Sequence, residues 1–445
     1  MIHALRVRVL VLLLFSLAVP TWGQDVLRVD ELGTAGAFTD IQPAIDAAGE
    51  GDLLLLASGT YGSFVVDGKS VRIMEDVGAT AKIAGSMFVT NLTASQSVEL
   101  HGLEHESVKQ LGSILRVSNA VGSVLVQDCE FVSLPTLFQS TQYELLAGLR
   151  IVDSNAVTLN RVVVDARLVN RGFSNTPFAL FVKDSNAFLS DCEFFGSTGV
   201  FIDEDDFFSI FGYSQSQLSG SSAGFVRGGR VVMKDCSLTG GDGLNGAYSP
   251  GGVTAGPDCA PGGNGGEGLV LVAGNGDPAV TLIGANLQSG AWGQGGSGTA
   301  FGVTLTCSDG APASPLIKAY AGSASTIQTG PRRLSGNSVV RPGESKDNTI
   351  TGPGSSMMWQ VYSFKTGSPL TYDPQLLGLA YYGGSSIVQF RGTLPISGIK
   401  TVSQAITDIG IDFLPIYEQV FFYNSNSGFS ATNPRFVALL GSSVP

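Results

Sequence analysis

One short β-type segment keeps returning along this chain, and that repetition limits the possible folds more than the length does. VLVQDCEF (124–131), VTLNRVVV (157–164), AFLSDCEF (187–194), VVMKDCSL (231–238) and VTLIGANL (280–287) share one alternating apolar style, and SVELHGLE (97–104) fits it. The tripeptide Ser-Asn-Ala stands at 118–120, 154–156 and 185–187, each time after an apolar run. One such rung cannot bury its apolar face alone. Stacked rungs can, with parallel backbone pairing around an apolar lumen. The reading predicts that the five segments stack in one sheet. It also predicts that the Asn of Ser-Asn-Ala forms a side-chain ladder at a turn, where Asn tolerates unusual backbone angles. The spacing between rungs is uneven, as expected where one turn of each coil carries loops of different length.

The stretch from Phe38 to Met74 says how the stack begins. Thr39 and Gln42 have capping-box spacing. Pro43 falls within the first turn, and Ile41, Ala44, Ile45 and Ala48 share one helical face. Gly49 and Gly51 then end a helix over roughly 40–48. Leu53–Leu56 is a continuous apolar run, as in a strand covered on both faces, here by the lumen and by the helix. This arrangement resembles the N-terminal entry of right-handed parallel β-helix proteins, the pectin-lyase-like fold. The resemblance implies an all-β right-handed solenoid over 24–340 whose open end is plugged by a capping helix.

Residues 1–23 read as a secretory signal. Arg6 and Arg8 precede the apolar Val9–Val19, and small residues precede a cleavage site at Gln24. No later run reaches membrane-spanning length. The expectation is an exported bacterial protein, secreted, periplasmic or on the cell surface. Without Arg6 and Arg8 the chain has 23 basic and 37 acidic residues, a net charge of −14. That balance argues against nucleic acid as a partner, because phosphate binding needs Lys and Arg.

Of the 5 cysteines, Cys129, Cys192 and Cys236 share the rung context and are expected to be free and buried. Cys259 and Cys307 lie in glycine-rich loops, and in an exported protein they are the expected disulfide. Residues 133–143, 201–222, 239–268 and 290–302 are expected protrusions, the glycine-rich ones compact irregular loops pinned by metal, disulfide or packing. Polar 341–354 reads as a linker. MMWQVYSF, QLLGLAYY, SIVQFRGTL, TVSQAITDIGI, IYEQVFFYN and PRFVALLG then suggest a small antiparallel β-sandwich over 355–445. FLPIYEQVFFYNSNSGFSATNPRFVALLG resembles a C-terminal module of secreted proteins of planctomycete-like bacteria.

The β-helix resemblance raises polysaccharide lyases and hydrolases. Their Asn-Thr-Asp, Asp-Asp, Gly-His-Gly and Arg-Ile-Lys strings do not occur at the matching places, and His101 and His105 stand outside any such motif. His101 is expected at a rung turn. Arg150, Lys183 and Arg230 are the cations a uronate would meet. Phe207, Phe208, Phe211 and Tyr213 are the aromatic contact patch for extracellular polysaccharide or a cell surface. No cofactor is required, but Asp203, Asp205 and Asp206 are a carboxylate group that calcium would accept, with Asp242, Asp258 and Asp309 a second. The first reading is a non-catalytic exported protein for surface architecture, adhesion or polysaccharide binding. The alternative is a divergent lyase or hydrolase acting on an acidic polysaccharide.

Overall fold

The computed structural model describes residues 25–105, 113–132, 147–166, 178–199, 219–246, 248–249, 258–259, 261–300, 303–313, 316–327, 332–364, 371–373, 378–380, 386–425, 428–432, 434–442 and 444. The chain is all-β, with long parallel sheets and smaller, mostly antiparallel sheets at its C-terminal end.

Three parallel sheets of 10, 8 and 8 strands share the coils. One coil shows the route. Strand Ser123–Gln127 belongs to the first sheet, Glu130–Val132 to the second and Ala147–Val152 to the third, before Ala156–Asn160 returns to the first. The first residues of the repeated segments stack as expected: Val124, Val157, Ala187, Val231 and Val280 are successive partners. Each predicted eight-residue strand is nevertheless two strands in two sheets. The break falls at Asp128, Arg161, Asp191, Asp235 and Gly284, all with φ between 51° and 60°. This left-handed corner turns the chain from the first sheet into the second. Behind it Cys129, Val162, Cys192 and Cys236 enter the apolar lumen with Leu54, Ile73, Leu100, Val126 and Leu189. Cys129, Cys192 and Cys236 are free and buried, as expected.

The expected Asn ladder does not form. The left-handed residues after the third-sheet strands are Asn91, Asn119, Asp153 and Asp184. Ser118 pairs with Val152, which pairs with Lys183. The first Ser-Asn-Ala copy is therefore two residues out of register with the other two, and Asn155 and Asn186 miss the corner. The buried ladder is one of serines instead: Ser154 N donates to Ser185 Oγ (3.0 Å) and Ala120 N to Ser154 Oγ (3.3 Å).

At the N-terminal end, helix α1 spans Ile41–Ala47. Its N-cap is Asp40 rather than Thr39, with Oδ1 accepting from Ile41 N at 2.8 Å. Gln42 is drawn away from the capping role by Val65 N, which donates to its Oε1 at 2.7 Å. The other end is closed by Lys69, whose Nζ donates to the carbonyls of Ile45 and Ala48, both at 2.8 Å. Ile41, Ala44 and Ile45 pack into the lumen cluster.

Leu53–Leu56 is buried on both faces, but the second cover is not the helix. Leu54 and Leu56 face the lumen, while Leu53 and Leu55 pack with Met74, Phe413, Tyr417 and Phe436 of the C-terminal region. That region begins before the expected boundary. The stretch read as a linker, 341–354, contains strand Ser345–Thr351, which pairs antiparallel with both Arg333–Gly336 and Ile399–Ala405. Its Lys, Asp and Asn looked like linker chemistry, yet Lys346 and Asn348 alternate with exposed neighbours as buried side chains. The partner sheet holds Val339–Val340, Arg435–Leu440, Phe413–Asn424, Met357–Ser363 and Ser386–Thr393. The two sheets share the apolar cluster of Leu334, Ile350, Met358, Val420 and Phe422.

Candidate functional site

In a parallel stack, residues at one register position line up, one per coil, about 4.7–4.9 Å apart. On the outer face of the third sheet this gives the row Phe88, Arg116, Arg150, Phe181, Phe225, Val270, Lys318. Arg150 lies over the Phe181 ring at 5.3 Å from its centroid. Phe181 stacks on Phe225, with centroids 5.5 Å apart and planes inclined by 6°. Phe178 tilts against Phe225 at 4.9 Å. The neighbouring row on the same sheet runs Ser118, Val152, Lys183, Arg227. Arg150 and Phe181 are buried, at 7% and 2% exposed, while Arg116, Lys183, Phe225 and Arg227 are partly exposed.

The structure thus brings Arg150 and Lys183 to one face. It takes Arg230 away: Arg230 opens strand Arg230–Lys234 of the first sheet, around a corner. Phe207, Phe208, Phe211, Tyr213, Asp203, Asp205 and Asp206 lie outside the described residues. Arg116, Phe181 and Phe225 were missed from sequence. Their signal was the out-pointing position of successive third-sheet strands, which is legible only once the register is known.

The outer face of the first sheet carries a different set. Glu99 is buried, within 3.4 Å of Arg72 Nε and 3.6 Å of His101 Nε2. Tyr417 Oη donates to its Oε1. Burial pushes the Glu99 carboxyl up, but Arg72, His101 and Tyr417 together hold it below its usual range. His101 is in the last position of its strand, stacked 4.6 Å from Phe436. Gln127 accepts from Phe436 N (3.2 Å), and Lys234 Nζ donates to Ala431 O (2.7 Å).

Alongside runs the corner row Asp128, Arg161, Asp191, Asp235. Arg161 bonds Asp128 (Nη2 to Oδ2, 2.8 Å), Arg333 pairs with Asp191, and Arg341 Nη2 donates to both carboxylate oxygens of Asp76 at 2.8 and 2.9 Å. Burial lowers Lys234 to about 8 and raises Asp235 to about 6. These charges all meet the C-terminal region. They form a docking surface.

The protrusions also show a pattern. Segments 196–199, 219–222, 240–246, 261–268, 289–296 and 307–313 all lie between second-sheet and third-sheet strands. They are extended and bonded to one another at three-residue intervals: Gly240, Gly243 and Gly246 donate to Gln288, Ala291 and Gln294. Gly263 and Gly266 donate to Leu244 and Gly241, and Gly290 and Gly293 to Gly266 and Gly263. Three residues per turn without internal hydrogen bonds is polyproline-II-like geometry, here built on glycine. A methyl group on Gly241 would overlap the Ser197 carbonyl. These segments are regular, not irregular loops.

Asp242 and Asp309 accept from Ala291 N (2.7 Å) and Gly295 N (2.8 Å), so both carboxylates serve the bundle, and the side chain of Asp258, the third member of the expected calcium group, lies outside the described residues. Among the described residues no group of three or more His, Cys, Asp or Glu is placed to hold a metal. Cys307 is disulfide-bonded, and the side chain of Cys259 lies outside the described residues. Strand Asp258–Cys259 lies against strand Val303–Thr306. Among the described residues no helix is long and apolar enough to cross a membrane. No family model matches the chain, and no curated protein matches it.

Proposed function

We propose that the chain is an exported, non-catalytic right-handed β-helix platform that binds polysaccharide at a cell surface. In this reading helix α1 plugs the first coil, a C-terminal β-sandwich covers one flank, and Cys259 pairs with Cys307. The observation that carries the binding role is the third-sheet face. Arg116 and Phe225, partly exposed, belong to one row at coil spacing, with buried Arg150 and Phe181 between them and partly exposed Lys183 and Arg227 beside them. A polymer with a repeating acidic sugar has matching needs: flat apolar faces for the rings and cations for the carboxylates. The overall acidity opposes such a ligand at long range, but salt screens that field within about 10 Å.

The test is a panel of acidic and neutral polysaccharides with wild type and the double variant Arg116→Ala/Phe225→Ala. Acidic polymers retained by wild type and released by the variant are expected. Equal retention by both removes the face from the reading. Appearance of unsaturated-uronate absorbance with wild type would make the protein a lyase and end the non-catalytic proposal.

A further inference from the structure

Between the two C-terminal sheets lies a charged cluster in an otherwise apolar layer. Lys346 is 2% exposed, Gln360 0% and Glu418 1%. One carboxylate oxygen, Glu418 Oε2, accepts from Lys346 Nζ at 2.7 Å, from Gln360 Nε2 at 2.9 Å and from Asn348 Nδ2 at 3.1 Å. The other, Oε1, accepts from Arg435 Nη1 at 3.1 Å. Gln360 Oε1 accepts from Arg391 Nε at 2.8 Å. The Lys346 amine also sits 4.8 Å from the Tyr362 ring centroid. As a mere ion pair this cluster is a poor stabiliser, because desolvation of buried charges offsets most of their attraction. As a reacting set it is complete. It has an amine nucleophile, a carboxylate touching both that amine and a carboxamide nitrogen, and a guanidinium aimed at the carboxamide oxygen.

We infer that Lys346 and Gln360 join in an intramolecular isopeptide bond, with Glu418 as the proton carrier and ammonia as the leaving group. Glu418 takes a proton from the Lys346 ammonium. The freed lone pair adds to Gln360 Cδ, and the carbonyl π pair moves onto Oε1, against the Arg391 Nε–H. Glu418 returns its proton to Nε2. The oxygen pair then reforms the carbonyl as the Cδ–Nε2 bond breaks and ammonia departs. The surplus proton on the new amide nitrogen passes to Glu418 and leaves with the ammonia as ammonium. Nothing is oxidised or reduced, and no co-reactant enters. Burial lowers the Lys346 pKa, which favours the neutral amine the attack needs.

Gln360 is the acceptor because it lies on the facing sheet, so the bond ties Ser345–Thr351 to Met357–Ser363 across the core. Asn348 shares Lys346's own strand, and its Oδ1 is held by Arg435 Nη1 at 2.8 Å.

Tryptic mapping of the purified full chain tests this. Trypsin does not cut after an acylated lysine, so residues 334–365 should emerge as one looped peptide lighter by one ammonia, with no backbone fragments from inside 346–360. The readout must be at peptide level, because an N-terminal Gln24 that cyclises also loses ammonia. Lys346→Arg and Glu418→Gln should both yield unjoined peptides of full mass. Separate wild-type peptides 334–346 and 347–365 at full mass after prolonged incubation would refute the bond. A loop closing on Asn348 would refute the acceptor, and a joined Glu418→Gln variant would refute the proton carrier.

Discussion

The first and third sheets have the same parallel pairing and send the same kind of apolar side chain into one lumen, yet their outer faces differ. The first presents Leu53, Leu55, Glu99, His101, Gln127 and Lys234, and it is covered by the C-terminal region. The third carries Arg116, Arg150, Phe181 and Phe225 in one row, with Arg150 over Phe181 and Phe181 stacked on Phe225. Inward positions answer only to the lumen and are nearly interchangeable between coils. Outward positions answer to whatever lies against them. On the first sheet that partner is another part of this chain, which meets the polar groups there with Arg341 on Asp76, Arg333 on Asp191, the Tyr417 hydroxyl on Glu99 and the Ala431 carbonyl on Lys234.

The difference breaks most sharply at Glu99. Replacing it by Leu removes the counter-charge of buried Arg72 and the acceptor of Tyr417. Truncating one member of a buried pair costs about 3–5 kcal/mol, so denaturant unfolding should shift by that order. The same kind of change at Arg116, only partly buried on the other face, should cost under about 1 kcal/mol. A Glu99→Leu midpoint equal to wild type would mean the docked region contributes no matched charge.

A second effect sharpens what separates the coils from their protrusions. Gly241→Ala forces a methyl into the Ser197 carbonyl. Overpacking typically costs about 1–3 kcal/mol, and collagen-like packing tolerates only glycine at such an approach. Thermal unfolding of the variant should come earlier, while Gly276→Ala, where a methyl meets nothing, should leave it unchanged.

These two variants also mark what the sequence could and could not say. Period-two alternation in VLVQDCEF exposed the lumen residues, because that signal is local. Leu53 and Leu55 were legible as buried, but their cover, Phe413 and Phe436, is hundreds of residues away. Nothing local distinguishes it from the adjacent helix. The break of each rung at Asp128 or Asp191 was hidden because Asp is also an ordinary outward strand-end residue. The linker reading of 341–354 failed for a related reason: Lys346 and Asn348 are polar because they face Glu418, not water. In the glycine segments the density was visible, but the three-residue period appears only when neighbouring segments are superimposed.

Acidity should separate the two faces further. Burial raises Asp235 from 3.8 to about 6 and Glu75 from 4.5 to about 7. For a carboxyl raised in the folded state, the folded chain holds more protons than the unfolded one between the two values. Stability therefore falls as pH rises through that window. Glu99 and Asp128, held low, act in the opposite sense only below their ordinary range. Between about pH 5 and 7 the folded chain should accordingly lose stability with rising pH. Asp235→Asn together with Glu75→Gln should flatten that slope. A slope unchanged in the double variant would place its origin elsewhere.

The smallest expected effect lies at the edge of the docked face. Arg341 and Asp76 pair through Nη2 but stay partly exposed, with side-chain accessibilities of 23% and 18%. Solvent screens such a pair, and exposed ion pairs contribute about 0.2–1 kcal/mol. Arg341 also donates from Nη1 to Val444 O at 2.9 Å, tying down the C-terminal end of the chain. Arg341→Gln should thus lower stability by well under the Glu99→Leu shift, and 1 M salt should shrink the difference from wild type. The Glu99 effect should hardly respond to salt, because its partners are shielded from water. If salt erased both differences equally, the contrast between a buried matched face and an exposed rim would fail, and the docking of the C-terminal region would rest on its apolar contacts alone.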